Sequence, residues 1–172
     1  MRTGMRTLMR SSVLAGVSVA MVGAALSPAS AASSHGNIQL ARTHGQSAKC
    51  WSMGGSQGDA ATMTLRGCEN GLPTQVFTFK KAAKGWYTVW NERSGMCLYA
   101  AGHATGAKVK QGKRSECRHK YTSMQWKWSG GRFSNRASGK VITATKSAGS
   151  RSPLSMAPAS KGAAGRQKFA HR

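Results

Sequence analysis

Carboxylates are the residues most often used for acid–base chemistry, and this sequence of 172 residues has only four of them. No two of the four are adjacent in the internal repeat described below, so the carboxylate pair needed for glycoside hydrolysis has little support. The five histidines do not follow the H-E-x-x-H spacing, and no G-x-S-x-G motif is present. We therefore predict that the protein is not an enzyme and that it holds neither a metal nor a cofactor. The acids are Asp59, Glu69, Glu92 and Glu116.

Positive charge is the chemical property that the sequence offers in excess. It contains 26 Lys and Arg residues and has a formal net charge of +22 at pH 7, which is far beyond what solubility requires. A field of this size attracts polyanions, and the attraction weakens as salt is added. The alternative is a generic basic surface without a dedicated ligand. The densest cluster comprises Lys108, Lys110, Lys113, Arg114, Arg118, His119 and Lys120.

Residues 1–31 have the features of a signal peptide. Three arginines precede a short apolar run, and Ala29-Ser30-Ala31 supplies the small-x-small pattern at which such leaders are cleaved. The apolar run is short for a membrane span, and an uncleaved anchor is the alternative. We therefore predict a secreted, extracellular protein without a transmembrane segment. The mature part, residues 32–172, keeps 23 basic and four acidic residues, a formal charge of +19.

The mature sequence repeats itself three times. Asn91, Ser94 and Gly95 recur as Asn135, Ser138 and Gly139, at a constant offset of 44 residues. Within each repeat, short runs of alternating polarity are separated by Gly and Ser, a pattern typical of strands. A strand-rich period of this length indicates propeller blades or a three-lobed barrel, and three blades are too few for a propeller. We predict an all-β domain with lobes at about 37–80, 86–129 and 131–172.

The four cysteines are even in number and belong to an exported chain, which favours two disulfides over a metal site or catalytic thiols. Three pairings are possible. The separations of 18 and 20 residues favour one bridge inside each of the first two repeats, Cys50–Cys68 and Cys97–Cys117.

The repeat resembles that of the R-type lectins, the family of the ricin B chain. The resemblance covers about residues 37–169 and implies a β-trefoil, three four-stranded lobes around a pseudo-threefold axis. It also implies that the closing aromatic residues of the lobes, Phe77, Trp126 and Phe169, are core residues. The motifs that carry it are Ser94-Gly95-Met96-Cys97-Leu98, Met63-Thr64-Leu65-Arg66-Gly67-Cys68, Gln75-Val76-Phe77 and Gln167-Lys168-Phe169.

The sugar-binding positions of that family are altered in this sequence. In the family, a lobe uses an Asp after the Cys-Leu pair, an aromatic residue before the second cysteine, and an Asn before the Gln of Q-x-W. A hydroxyl accepts hydrogen bonds more weakly than the missing carboxylate does, so the ordinary neutral-sugar site is not supported. The Asp position holds Ser52, Tyr99 and Thr143; the aromatic position holds Arg66 and Ala157, and in lobe two an insertion at Gly112–Ser115 obscures it; the Asn position holds Thr74, Ser123 and Arg166.

Two functions follow from this combination. The first is a non-catalytic carbohydrate-binding module that favours acidic glycans or cell-wall polymers. The second is a basic protein that binds polyanions, including nucleic acid, without a pocket, on a scaffold that has lost sugar binding. In both cases we expect a monomer whose partners are glycans or anionic polymers. The candidate ligand-binding residues are Ser52, Arg66, Tyr99, Lys108, Lys110 and Arg166.

Overall fold

The computed structural model describes residues 35–43, 47–117 and 120–172. The predicted signal peptide lies outside these ranges, and so do Arg118 and His119 of the basic cluster. Among the described residues, no helix is both long enough and apolar enough to cross a membrane.

Strands dominate the described residues, and the helical segments are single turns. The strands are β1 (His35–Leu40), β2 (Lys49–Ser52), β3 (Thr64–Gly67), β4 (Val76–Ala83), β5 (Trp86–Asn91), β6 (Cys97–Ala100), β7 (Val109–Gly112), β8 (Trp126–Ser129), β9 (Arg132–Asn135), β10 (Val141–Thr143), β11 (Ser155–Ala157) and β12 (Phe169–His171). The helical turns are two 3-10 segments, Arg114–Glu116 and Thr122–Met124, and α1 (Ala164–Gln167).

Tight glycine turns set the register of two long hairpins. Ala83 pairs with Trp86 across β4 and β5, so the turn contains two residues, of which Gly85 has a φ of 73°. Ser129 and Arg132 pair in the same way across β8 and β9. Both residues between them are glycines with positive φ, a conformation that residues with a β-carbon adopt at a cost.

The pairing of the strands forms the barrel and cap of a trefoil. Neighbouring strands pair in the order β1, β4, β5, β8 and β9, and β12 pairs with β1. The Phe169 amide donates to the carbonyl oxygen of Gly131 at 2.7 Å, which joins β12 to the β8–β9 turn. Three further hairpins, β2–β3, β6–β7 and β10–β11, form the cap. Four strands therefore fall in each lobe, and the predicted all-β trefoil is confirmed.

The core is organised around Trp51, which is fully buried. Its ring lies 5.8 Å from that of Phe77, 4.6 Å from Phe133 and 5.2 Å from Phe169. Phe77, Trp126 and Phe169 are buried as predicted. The Trp126 indole also donates a 3.0 Å hydrogen bond to the carbonyl oxygen of Leu98. Aromatic side chains from different lobes thus share one core, and their large areas supply much of the apolar burial.

The repeated asparagines form the same buried hydrogen bonds in lobes two and three. Asn91 accepts hydrogen bonds from the backbone amide and hydroxyl of Ser94, and Asn135 accepts the same pair from Ser138. The amide of Asn91 donates to three carbonyl oxygens of the preceding lobe, and that of Asn135 donates to two. Since buried polar groups need such partners, the offset of 44 residues reflects one interlobe contact made twice. In lobe one the equivalent position, given by the strand pairing, is Leu40.

Both predicted disulfides are confirmed. Cys50 is bonded to Cys68 and Cys97 to Cys117, and the described residues include no free cysteine. Each bridge lies inside one lobe and ties the second strand of that lobe to the segment after the third. The equivalent position of lobe three is Val141, which pairs with Ala157 instead.

Gly36 is the position where we expect the backbone to tolerate a side chain least. It pairs with Phe77 on β4, and a β-carbon added to it would overlap the carbonyl oxygen of Arg172. That oxygen accepts the Asn37 amide at 2.9 Å, in the contact that joins β1 to the last residue of the sequence. Gly36→Ala should therefore lower the free energy of unfolding by about 1–3 kcal/mol, the usual cost of overpacking, measured by urea denaturation.

Gly67→Ala is the matched control for that variant. Gly67 also lies in a strand, but a β-carbon there would meet no atom within 4 Å. We expect this variant to match the parent protein within about 0.5 kcal/mol. An equally small change in the free energy of unfolding for Gly36→Ala would contradict the tight packing of β1 against the end of the chain.

Candidate functional site

The pairing of the cap hairpins identifies equivalent site positions in the three lobes. Cys50 pairs with Arg66, Cys97 with Gly112, and Val141 with Ala157. Gly112 therefore occupies in lobe two the position that the insertion obscured in the sequence. None of the three lobes has an aromatic residue at this position.

In lobe one, Ser52 and Arg66 lie together on either side of Gly54. Ser52 is fully buried, and its hydroxyl accepts a 3.0 Å hydrogen bond from the amide of Gly54. A β-carbon on Gly54 would lie 2.9 Å from that hydroxyl and 3.0 Å from Nε of Arg66. Gly54 thus packs against both candidates, and the buried Ser52 hydroxyl is not accessible to a ligand.

In lobe three, the Asp position is also closed. Thr143 is buried; its hydroxyl donates to the carbonyl oxygen of Val141 at 3.1 Å and accepts from Nε2 of Gln167 at 3.2 Å. Arg166 is half-buried in α1, and its carbonyl oxygen accepts the amide of Ala144 at 2.8 Å. With the Thr143 hydroxyl occupied inside the protein, lobe three offers no acceptor at the position where the family places its carboxylate.

Lobe two differs from the others at the glutamine of Q-x-W. Gln75 clamps the loop of lobe one by accepting from the Glu69 amide at 2.9 Å and donating to the Gly67 carbonyl oxygen at 2.7 Å. Gln167 makes the same kind of clamp in lobe three. The equivalent residue of lobe two is Met124, which makes no such clamp because a thioether lacks the amide donor.

A pocket of about 220 Å³ opens beside Met124, and its described lining consists of Glu116, Tyr121, Ser123 and Met124. Met124 packs on the Cys97–Cys117 bridge, and its methyl group lies 3.1 Å from the point where a β-carbon on Gly112 would be. Tyr121 keeps 42% of its surface exposed. We call this the lobe-two pocket.

Tyr99 lies at the edge of this region as a neutral hydroxyl. Its ring is 3.4 Å from the β-carbon position of Gly112, and it packs against the same cluster as Met124. Burial raises the pKa of Tyr99, and the carboxylates of Asp59 and then Glu116 raise it further. A raised pKa keeps the phenol protonated over a wider pH range, so Tyr99 remains a hydrogen-bond donor.

Basic residues accompany the lobe-two pocket. Lys110 pairs with Tyr99 across β6 and β7, the Lys113 ammonium lies 3.7 Å from the Asp59 carboxylate, and the Lys120 ammonium lies 5.1 Å from the centre of the Tyr121 ring. Lys108 is exposed and pairs with Ser155 of lobe three. The region therefore combines one exposed aromatic ring and a carboxylate with several cations.

The structure separates the six candidate residues by lobe. Ser52 and Arg66 are together in lobe one, and Arg166 is in lobe three. Tyr99 and Lys110 are cross-strand partners in lobe two, where Lys108 is exposed and pairs with Ser155 of lobe three. The sequence placed Ser123 at the family's Asn position but did not select it as a ligand-binding residue, because a hydroxyl replaces the amide there. Glu116 was not selected because the insertion before Cys117 removed the register on which the family comparison depends. The sequence signal for a different lobe-two site was Met124 at the position of the expected glutamine.

Comparison with known proteins places the chain in a family. The sequence profile of the ricin-type beta-trefoil lectin domain matches residues 31–169. The chain therefore belongs to the ricin-type β-trefoil lectin family, as the sequence motifs indicated. None of the curated proteins searched matches the chain.

Solved structures share the fold at low sequence identity. A designed threefold-symmetric protein, ThreeFoil, has a TM-score of 0.66 and 18% identity, covering 80% of this chain and 99% of its own. The agglutinin from Abrus precatorius has a TM-score of 0.64 and 21% identity, covering 81% and 48%. The C-half of an earthworm R-type lectin, in complex with GalNAc, has a TM-score of 0.59 and 12% identity, covering 79% and 95%. The chain thus spans about half of the agglutinin chain.

Proposed function

We propose that the protein is a secreted, monomeric, non-catalytic carbohydrate-binding module that favours acidic glycans or cell-wall polymers, with its site in the lobe-two pocket. The observation that carries this proposal is the combination of Glu116, Tyr121 and Ser123 around one cavity. Membership of the lectin family and the fold shared with the earthworm lectin in complex with GalNAc support a sugar ligand.

The groups at this pocket match the chemistry of a sugar ring. The exposed ring of Tyr121 offers a plane on which the apolar face of a sugar stacks. The Glu116 carboxylate is a strong acceptor for sugar hydroxyls, and it takes over the function of the family's missing Asp from a different point of the lobe. Ser123 occupies the family's Asn position and adds a hydroxyl, while its carbonyl oxygen already accepts from Asn135 at 2.7 Å.

The surrounding cations support the preference for acidic glycans. Lys110 is the cross-strand partner of Tyr99 at the edge of the site, and the Lys120 ammonium lies 5.1 Å from the centre of the Tyr121 ring. A polymer with a neutral ring in the pocket and acidic groups on neighbouring units would have its charges attracted by these ammonium groups. Because such contacts are exposed, salt should weaken them more than it weakens the stacking on Tyr121.

The second candidate function is binding of polyanions, including nucleic acid, by charge alone. The large excess of basic residues favours this function, since the sequence has 26 Lys and Arg residues and only four Asp and Glu residues. A binder of this kind loses affinity steeply with salt, with a logarithmic slope of about −0.9 for each phosphate neutralised on duplex DNA. A pocket binder keeps affinity for a defined sugar at high salt, so the two functions differ in a measurable way.

Tyr121→Ala is expected to lower the affinity for the bound glycan by about tenfold, since stacking on an aromatic ring contributes about 1–3 kcal/mol. The measurement is a glycan and polyanion array with the folded protein at about 0.15 M and about 1 M salt, followed by calorimetry on the best ligand. Tyr87→Ala is the matched control, because Tyr87 is also an exposed tyrosine, at 36%, but lies outside the pocket lining.

Three results would contradict the proposed site. Equal losses of glycan affinity in Tyr121→Ala and Tyr87→Ala would show that Tyr121 does not contact the sugar. Loss of every array signal at high salt would favour binding by charge alone. Unchanged binding after Glu116→Ala, which removes the acceptor oxygens, would show that the carboxylate is not an acceptor for the sugar.

A further inference from the structure

A second concave site lies between lobes one and three, away from the lobe-two pocket. Two loops form it, one between β1 and β2 and the other between β10 and β11. We call it the interlobe basic pocket. It has a volume of about 300 Å³, and its described lining consists of Arg42, Thr43, Ser47, Lys49, Lys146, Ser147 and Ala148.

Two of the three cations of this pocket form hydrogen bonds across the two lobes. The Arg42 guanidinium donates to the carbonyl oxygens of Lys146, at 2.9 Å, and Thr145, at 3.4 Å. The Lys49 ammonium lies 3.4 Å from the hydroxyl of Ser150. Lobe-one cations are thus positioned by backbone and hydroxyl oxygens of lobe three, and the side chains are partly ordered before a ligand arrives. Such preorganisation reduces the entropy cost of binding.

No carboxylate belongs to the described lining of this pocket. All four acids of the sequence lie in the described ranges, and two of them have basic residues as neighbours elsewhere: Asp59 faces the Lys113 ammonium and Glu92 faces the His35 imidazole. Three positive side chains therefore share one concave surface without a negative residue among them. Concave walls focus such a field on whatever enters.

The composition of the lining selects the kind of anion. A planar guanidinium, two ammonium groups and the hydroxyls of Ser47 and Ser147 supply more donors than the two oxygens of a carboxylate require. A sulfate or phosphate ester has three free oxygens and suits the fork of Arg42 together with flanking lysines. The described lining has no aromatic ring, so it lacks the stacking plane that proteins use for nucleic acid bases.

We propose that the interlobe basic pocket binds the sulfate or phosphate ester group of an acidic glycan. This site uses no residue of the lobe-two pocket, and it stands even if Tyr121 makes no sugar contact. If both sites are occupied, one supplies recognition of a ring and the other recognition of an ester group.

The test compares two double variants of equal charge by calorimetry at about 0.15 M salt. Lys49→Gln with Lys146→Gln removes two cations of the pocket and leaves Arg42 in place to hold the loops together. Lys127→Gln with Lys161→Gln removes two exposed lysines outside the lining. The probes are a sulfated oligosaccharide, a phosphorylated oligosaccharide of the same backbone, and that backbone without either group.

We expect the pocket variant to lose at least about tenfold in affinity for a substituted probe, and the control to lose less than about threefold. The sulfated and phosphorylated probes distinguish the two ester groups, and either preference supports the site. Arg42→Lys, which keeps the charge but loses the fork, should lose affinity several-fold. Amide shifts in NMR on addition of inorganic sulfate should concentrate at Ser47, Ser147 and Ala148.

Three results would overturn the proposal. The first is an equal loss of affinity in the two double variants, which would indicate a diffuse field. The second is equal binding of the unsubstituted backbone. The third is displacement of the substituted glycan by duplex DNA, together with a loss of DNA affinity in the pocket variant as large as the loss of glycan affinity. The occupant of the pocket would then be a nucleic acid. We expect Tyr121→Ala to leave binding at the interlobe basic pocket unchanged. The experiments therefore distinguish failure of the lobe-two site from failure of the interlobe site.

Discussion

Replacement of Trp51 by alanine should lower the free energy of unfolding by about 3–5 kcal/mol, the usual cost of removing a buried tryptophan or phenylalanine ring. Trp51 is fully buried and touches the rings of Phe77, Phe133 and Phe169. Those three residues belong to β4, β9 and β12, so the cavity would open where lobes one and three meet. Since a small domain has a total stability of about 5–15 kcal/mol, this variant should be close to unfolding at room temperature.

Two further variants, one at Trp51 and one at the partly exposed Trp128, test whether the loss of stability is specific to the buried ring of Trp51. Trp51→Phe should cost much less than Trp51→Ala, because it keeps a ring in place and the buried indole N–H has no hydrogen-bond partner among the described residues. Trp128→Ala should cost about 1 kcal/mol, since Trp128 is 43% exposed although its ring stacks 5.5 Å from Phe133. Urea denaturation gives all three values. Similar costs for Trp51→Ala and Trp128→Ala would refute the central position of Trp51.

Removal of the lobe-two bridge by Cys97→Ala with Cys117→Ala should lower the free energy of unfolding by about 3 kcal/mol. The bond joins residues 20 apart, and cutting it enlarges the set of unfolded conformations in the chain-entropy description. We also expect this variant to lose glycan affinity at the lobe-two pocket. Met124 packs on the bridge, with the Cys97 and Met124 sulfurs 3.5 Å apart, and Glu116 directly precedes Cys117.

The other bridge provides the matched control. Cys50 and Cys68 are 18 residues apart, so Cys50→Ala with Cys68→Ala should lower stability by a similar amount. This bridge lies in lobe one, and its loss should leave glycan affinity unchanged at temperatures where the variant is folded. Thermal denaturation and calorimetry on both double variants separate the two effects. A parallel loss of affinity in both would mean that the bridges affect binding only through global stability.

The repeat made the fold predictable from sequence. Asn91 and Asn135 recur because each fixes the same turn and the same contact with the preceding lobe, and such a constraint leaves a regular trace in the chain. The pairs Cys50–Cys68 and Cys97–Cys117 could be inferred because each is local to one lobe. The aromatic core was predicted at Phe77, Trp126 and Phe169. The central position of Trp51 was not, because it depends on how the lobes pack together.

The candidate sites were less predictable, because they depend on departures from the repeat. The lobe-two pocket exists where Met124 replaces the clamping glutamine and where an insertion precedes Cys117, and an alignment of repeats discards such positions. The interlobe basic pocket joins Arg42 to Lys146, residues that are 104 apart in sequence. Closure of the barrel brings these two residues together, and no local pattern in the sequence indicates that they are neighbours. Arg66 and Arg166 were chosen by register alone, and the structure places them in different lobes.

Pairing between the first and last described strands also bears on how quickly the protein folds. Ile38 pairs with His171 and Leu40 with Phe169, so the contact that completes the barrel joins residues more than a hundred positions apart. Chains dominated by such distant contacts fold in milliseconds to seconds, because the entropy of ordering the intervening chain is lost before the final pairing compensates for it. The lobes therefore have time to form as separate hairpins, with β1 paired to β2 and β4 inside lobe one before β12 arrives.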